Sequence, residues 1–262
     1  MGKVYLVGAG PGAPDLLTLR AARILERADI VFHDALVHPE VLALAARARI
    51  VPVGKRCSQI STDQRFINRN LVEAAQRHEV VVRLKGGDPM LFGRAQEEID
   101  ALTAHGIEYE VVPGVTAALG ASAELGVSLT RRGVSRSVLF ATPRIGKDQD
   151  DGARGGWPQA VAAADTAVLY MSRGEAPQLV AALRAAGLPA DHPAAVVESA
   201  SLPQARRLRC TLAQLPALAA HTSSGPALVI LGKVLNGAAA ASAPSAADDS
   251  WGSAAPVIAS AL

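Results

Sequence analysis

Three apolar runs in the first 115 or so residues each end in a glycine turn, and this repetition constrains the fold more than anything else in the chain. Val4 to Val7 runs into Gly8-Ala9-Gly10-Pro11-Gly12, Glu79 to Leu84 into Lys85-Gly86-Gly87-Asp88-Pro89, and Val111-Val112 into Pro113-Gly114-Val115-Thr116-Ala117. Between them, apolar residues recur at helical spacing over Leu16 to Arg27, over Asp63 to His78 with Ser61 or Thr62 as N-cap, and over Arg94 to His105, where Gly106 ends the helix. Ile30 to Phe32 and Ile50 to Val53 read as further short strands. Strands alternating with helices predict an α/β fold with a mainly parallel sheet, at least through Val112. In such a sheet ligands lie beyond the carboxyl ends of the strands, where the three turns would meet.

A second series begins after an Ala-rich helix that reaches to about Glu124. Its β-like runs are Ser137 to Ala141, Thr166 to Met171, Ala194 to Val197, Ala205 to Cys210 and Ala227 to Leu231, with a helix from Ala176 to Ala186. The chain thus divides into an N-terminal α/β domain, 1–114, and a C-terminal α/β domain, 115–236. Residues 143–157 are polar and Gly-rich, which predicts a mobile surface loop. Residues 237–262 carry no Lys or Arg and are dominated by Ala and Ser, the composition of a disordered tail.

A formal net charge of +2 and 3% aromatic residues offer a nucleic acid neither a broad basic face nor stacking platforms. The folded-looking part has no membrane-length apolar run, and no signal-like segment precedes the strand at Lys3, so a cytoplasmic protein is expected. Cys57 and Cys210 are far apart and lack ligating neighbours, so they read as reduced thiols rather than as a disulfide or a metal site.

Taken alone, Gly8-x-Gly10-x-x-Ala13 is open to three readings: a tight structural connection, a nicotinamide dinucleotide site with Asp29 or Asp34 as the ribose acid, or a site for another ligand. Pro11 and Pro14 weigh against the dinucleotide, because a pyrophosphate is held by backbone N–H groups and each proline removes one. The other two turns add an acceptor at Asp88, a hydroxyl at Thr116, and glycines against which a ligand can lie.

The glycine turn 8–12, Asp34-Ala35-Leu36-Val37, Gly54-Lys55-Arg56, the run 81–89 with Phe92-Gly93-Arg94, the run 111–118, Leu129-Thr130, Tyr170-Met171 and the run 226–232 resemble the tetrapyrrole methylase family in order and spacing, over about residues 1–236. The Lys85 to Pro89 block with Phe92-Gly93-Arg94 is most similar to members that methylate uroporphyrinogen III at carbon. The resemblance implies a two-domain tetrapyrrole methylase-like fold with S-adenosylmethionine folded into the interdomain cleft. That ligand has no phosphate and does not need the amides that Pro11 removes. By the family pattern the cofactor meets Pro11, Gly86, Gly87, Asp88, Leu91, Thr116, Ala117 and Met171, with backbone contacts from Ala200 and Ala227.

The reaction so implied is two methylations, through precorrin-1 to precorrin-2, with two S-adenosylhomocysteines released, in siroheme or cobalamin biosynthesis. The aspartate matching Asp34 is the proton acceptor and the lysine matching Lys55 the proton donor. The substrate carries eight carboxylates, and the candidates to meet them are Arg56, Arg94, Thr130, Arg131, Arg132, Arg136 and Arg144. A metal-free, single-function homodimer is expected, 262 residues leaving no room for the additional dehydrogenase and ferrochelatase domain of some relatives. A methylase of a later corrin intermediate and a non-catalytic nucleotide-binding module remain as alternatives. The chain departs from the family pattern at His33 (usually Tyr), Arg131 (often His), Ala95-Gln96 (a glycine pair), Thr142-Pro143-Arg144 (commonly Thr-Gly-His), and Ser172 and Ala200 (commonly Gly), which bears on substrate contacts and loop shape.

Overall fold

The computed structural model describes residues 1–54, 64–143, 156–220 and 225–236. Lys55, Arg56, Cys57, Ser61, Thr62, Arg144, most of the 143–157 loop and the 237–262 tail lie outside the described residues.

Five strands, β1 (Lys3–Gly8), β2 (Ile30–His33), β3 (Arg49–Pro52), β4 (Val80–Lys85) and β5 (Tyr109–Val112), form one sheet in the order β3-β2-β4-β1-β5, with every neighbouring pair parallel. Near-continuous apolar strands are what a parallel sheet covered on both faces requires. Alternate residues serve the two faces. Val4, Leu6 and Val81 pack under α3 (Gln64–Ala75) and α4 (Ala95–Ala104). Tyr5, Val7, Val31, Val82 and Leu84 pack under α1 (Leu19–Glu26) and α2 (Pro39–Ala43).

The helix expected from Leu16 begins at Leu19. Pro14–Leu16 form a separate 3₁₀ turn, and the Thr18 hydroxyl caps α1 by accepting the Ala21 N–H at 3.2 Å. Proline suits a first turn, and a threonine cap fixes where the helix proper can begin. Gly106, with φ of 64°, ends α4 as expected.

In the second half, α5 (Ala117–Leu125) precedes β6 (Val138–Ala141), α6 (Trp157–Ala163), β7 (Thr166–Leu169), α7 (Ala176–Ala185), β8 (Pro193–Glu198), β9 (Arg206–Thr211), α8 (Leu215–Ala220) and β10 (Ala227–Gly232). Its sheet runs β6-β7-β10-β8-β9. The β6–β7 pair is parallel; β10 is antiparallel to β7 and β8, and β8 to β9. Ala118, Ala121 and Leu125 of α5 pack on Val168, Ala195, Val197, Leu228 and Ile230, so α5 belongs to the core of this second sheet. Leu179, Leu183, Leu212 and Leu215 cover the other face.

The antiparallel β10 brings its amino end beside the carboxyl ends of β7 and β8, and Met171, Ala200 and Ala227 therefore leave the sheet at one edge. Cys210 is a free thiol whose pKa burial pushes up to about 11, which keeps it protonated and unreactive. No helix among the described residues is long and apolar enough to cross a membrane.

Candidate functional site

The three glycine turns do converge. Gly10 and Gly87 form an antiparallel bridge, with Gly87 N–H donating to Gly10 O at 2.7 Å. An ideal Cβ on Gly8 would stand 2.6 Å from Gly114 Cα and 2.7 Å from Gly87 O, so the three backbones pass where no side chain fits. Asp88 ties the turns together: Oδ2 accepts the Gly114 N–H at 2.9 Å and Oδ1 the Met90 N–H at 2.8 Å. The carboxylate expected to face a ligand thus also holds the second turn to the third. Gly87, with φ of 68°, looks across to Thr116 and Ala117, whose backbone atoms lie 3.9 Å from its ideal Cβ position.

The second sheet's edge closes on these turns. Pro11 packs on Gly120 of α5, Gly12 faces Leu202 and the Ala200 carbonyl, and Ala13 N–H donates to Ser201 Oγ at 3.0 Å. Ser201 N–H in turn donates to Glu124 Oε1 at 3.0 Å, and Arg207 pairs with the other Glu124 oxygen. Met171, Ser199 and Ser201 all take left-handed φ, at 53°, 49° and 69°. Non-glycine residues held so at strand ends mark a backbone shaped for contact rather than for regular pairing. The two serines escape a sequence reading because a Ser-Ala-Ser run after an apolar strand looks like any loop.

Tyr170 joins the halves. Its hydroxyl lies 2.6 Å from Thr116 Oγ1 and accepts the Ala118 N–H at 3.2 Å, and its ring packs 5.0 Å from Phe92. Burial pushes the phenol's pKa up, keeping it neutral. Tyr170→Phe is expected to lower unfolding free energy by about 1–3 kcal/mol, since it leaves the α5 start without its partner. Urea titration measures this, and an unmoved midpoint would show that water replaces the hydroxyl fully. Leu91 is half-buried in the turn before α4, where Phe92 and Arg94 both take left-handed φ.

Beside the glycine turns, at the end of β2, stands Asp34. Its Oδ1 accepts from Arg83 Nη2 at 2.6 Å. Gly54, two residues beyond β3, presses on it: an ideal Cβ there would lie 2.6 Å from Ala35 N and 2.9 Å from Asp34 Cα, so the Gly54 backbone runs against the Asp34 turn. Leu36 Cβ lies 3.4 Å from where an ideal Cβ on Gly86 would stand, which links this acidic end to the glycine turns.

Arg83 and Lys85, on the α4 side of β4, share the fully buried Glu98. Burial, and then the neighbouring Arg83 charge, push the Lys85 pKa below the usual lysine value. Burial would also lower Arg83, but the charges of Asp34 and Glu98 outweigh it and hold the guanidinium above its usual value. Glu98 is the residue a sequence reading misses. The available signal is an acid on the apolar stripe Ala95-Glu98-Ile99-Leu102, opposite two bases two apart on a strand.

Of the expected substrate cations, Arg94 stands exposed at the head of α4 and forks onto Glu97 with two 2.7 Å bonds. Thr130, Arg131 and Arg132 are exposed on a turn closed by Arg131 N–H to Ser135 O at 3.0 Å. Ser135 Oγ bonds Thr166 Oγ1 at 2.9 Å, at the start of β7. Tyr170 follows the other end of that strand, about 13 Å away at the usual rise per residue. The structure therefore brings Arg94, but not this turn, to the edge where the strands of both sheets end. Arg136 gives its N–H to Asp165 at 2.8 Å, near the same start of β7. Among the described residues, no group of three or more His, Cys, Asp or Glu could hold a metal ion.

The family model for Tetrapyrrole (Corrin/Porphyrin) Methylases matches residues 3–216. A siroheme synthase of Pseudomonas paraeruginosa is 47% identical over 236 residues, which are 89% of this chain and 50% of that protein. The chain spans about half the length of the curated relatives it matches. A crystal structure of uroporphyrin-III C-methyl transferase from Thermus thermophilus, complexed with S-adenyl homocysteine, superposes with a TM-score of 0.78 at 40% identity, covering 89% of this chain and 99% of that one. A cobalt precorrin-4 methyltransferase shares the fold, with a TM-score of 0.77 at 24% identity and coverage of 89% and 96%.

Proposed function

Because the chain belongs to the tetrapyrrole (corrin/porphyrin) methylase family, we propose that it is an S-adenosylmethionine-dependent C-methyltransferase that converts uroporphyrinogen III to precorrin-2 by two methylations. The observation that carries this reading is the likeness to the Thermus thermophilus enzyme over nearly its whole length, joined to a strand-end edge built from glycine backbone and proline. An adenosyl sulfonium suits such an edge: Pro11 offers a hydrocarbon face rather than an amide, and no phosphate needs holding. We take residues 1–114 and 115–236 as the two domains, a division supported by α5 packing on the second sheet.

When bound, S-adenosylmethionine supplies an electrophilic methyl group on sulfur. Pro11, Gly86, Gly87, Asp88, Leu91, Thr116, Ala117, Met171, Ala200 and Ala227 would hold it, with Gly87 and Thr116 leaving room for close approach. The chain's main contribution is to align the pyrrole carbon with that methyl. Transfer of that methyl would form a carbon–carbon bond at the expense of the methyl–sulfur bond, with the electron pair left on sulfur. Asp34, at the cleft end of β2, accepts the proton released from the methylated ring, and Lys55 returns one. Arg94 meets a substrate carboxylate, as do Arg56 and Arg144. The turn of Thr130, Arg131 and Arg132 stands at the far end of β7, away from that contact. We further propose a cytoplasmic homodimer that acts on a small molecule, without nucleic acid or membrane.

Anaerobic incubation with S-adenosylmethionine and enzymatically generated uroporphyrinogen III, read by absorbance and product mass, tests the function. A gain of two methyl groups is expected. If S-adenosylhomocysteine binds but no methyl is transferred, the substrate is a later corrin intermediate. If S-adenosylhomocysteine gives no thermal shift while NAD does, the methyltransferase reading fails.

A further inference from the structure

Four ionisable side chains run from the core of the first sheet to the end of β2. Glu98 Oε1 accepts from Arg83 Nε at 3.0 Å, Lys85 Nζ at 3.0 Å and Gln64 Nε2 at 3.2 Å, and its Oε2 accepts from Lys85 Nζ at 3.0 Å. Arg83 also donates from Nη1 to Leu84 O at 3.2 Å and from Nη2 to Asp34 Oδ1 at 2.6 Å. The Arg83 and Lys85 side chains are each 3% exposed and that of Glu98 is 0%, while that of Asp34 is 31% exposed.

Stability alone is a poor reason for such a network. Replacing a buried ion cluster with apolar residues of equal volume is often neutral or stabilising, because desolvating the charges offsets their attraction. What the network does specify is geometry: the planar guanidinium is fixed by Glu98 on one side and the Leu84 carbonyl on another, so its Nη2 can point only one way. The member that it leaves at the surface is the Asp34 carboxylate.

We propose that Arg83 is a positioning residue for methyl transfer: anchored by Glu98, it holds the Asp34 carboxylate in one orientation at the cleft. The inference rests on the proposed function, in which Asp34 takes the proton. Arg83→Lys keeps the charge but cannot reach Glu98, Leu84 and Asp34 at once. It is expected to lower kcat about 10- to 100-fold while KM for S-adenosylmethionine and the affinity for S-adenosylhomocysteine stay within about twofold.

A cycle with Asp34→Asn separates positioning from mere structure. If Arg83 acts through Asp34, the double variant is no slower than Asp34→Asn alone; additive losses, or wild-type kcat in Arg83→Lys, overturn the inference. Glu98→Gln keeps an oxygen for Arg83 and loses the anchoring charge, and it runs the same cycle should Arg83→Lys not fold. Wild-type protein that binds S-adenosylhomocysteine yet leaves uroporphyrinogen III unmethylated would overturn the functional reading, and the inference with it. Methylation by the wild type with an additive cycle counts against the inference alone.

Discussion

Asp34→Asn is expected to reduce methyl transfer about 10²- to 10⁴-fold, the usual scale for losing a proton-transfer group, while S-adenosylhomocysteine binds as before. The substitution keeps the shape and leaves one side-chain oxygen for Arg83 Nη2, now at 2.6 Å from Oδ1. It removes the charge that can take a proton. It also leaves Arg83 and Lys85 against Glu98 alone, so some stability is lost with the turnover. Single-turnover mass spectrometry and isothermal titration separate the two effects. Full turnover would remove Asp34 as the proton acceptor and leave it only its ion pair with Arg83.

The first sheet is readable because its signals are local. Apolar runs, helical spacing and a glycine at each strand end recur within short windows, and the right-handed βαβ crossover then leaves few arrangements. The start of α1 is misplaced by three residues because Leu16 fits the apolar spacing, whereas the Pro14 turn and the Thr18 cap decide where the helix begins. The second sheet's mixed direction is beyond reach: a run such as Ala227 to Leu231 looks the same whether its neighbour runs with it or against it. Short helices such as Pro39–Ala43 and Leu215–Ala220 span little more than one or two turns and carry too little periodicity to be seen.

The candidate site divides in the same way. The glycine turns announce themselves by composition, and their convergence follows from strand order. Arg83, Lys85 and Glu98 do not. Their meaning depends on α4 lying over β4, a contact between segments that no single window contains. Ser201 and Glu124 are separated by 77 residues and meet only because α5 packs beside the end of β8.

That dependence on close backbone contact gives the second large effect. Gly8→Ala is expected to destabilise the fold by about 1–3 kcal/mol, the range for overpacking a filled interior, and to weaken S-adenosylhomocysteine binding more than tenfold. The added methyl would sit 2.6 Å from Gly114 Cα and 2.7 Å from Gly87 O, and both are backbone atoms that cannot rotate away. The turns must separate, and with them Asp88, Thr116 and Ala117, which the proposed site needs at fixed spacing. Gly106→Ala supplies the control. There φ is 64° and nothing lies within 4 Å of the added carbon, so the left-handed strain costs about 1–2 kcal/mol without moving the turns. Both variants should melt earlier, by about 2–4 °C per kcal/mol. Only Gly8→Ala should lose ligand affinity. If calorimetry gives both variants the wild-type affinity, the cofactor does not rest on the three-glycine contact, and its site must be sought along the Met171–Ala200 edge instead.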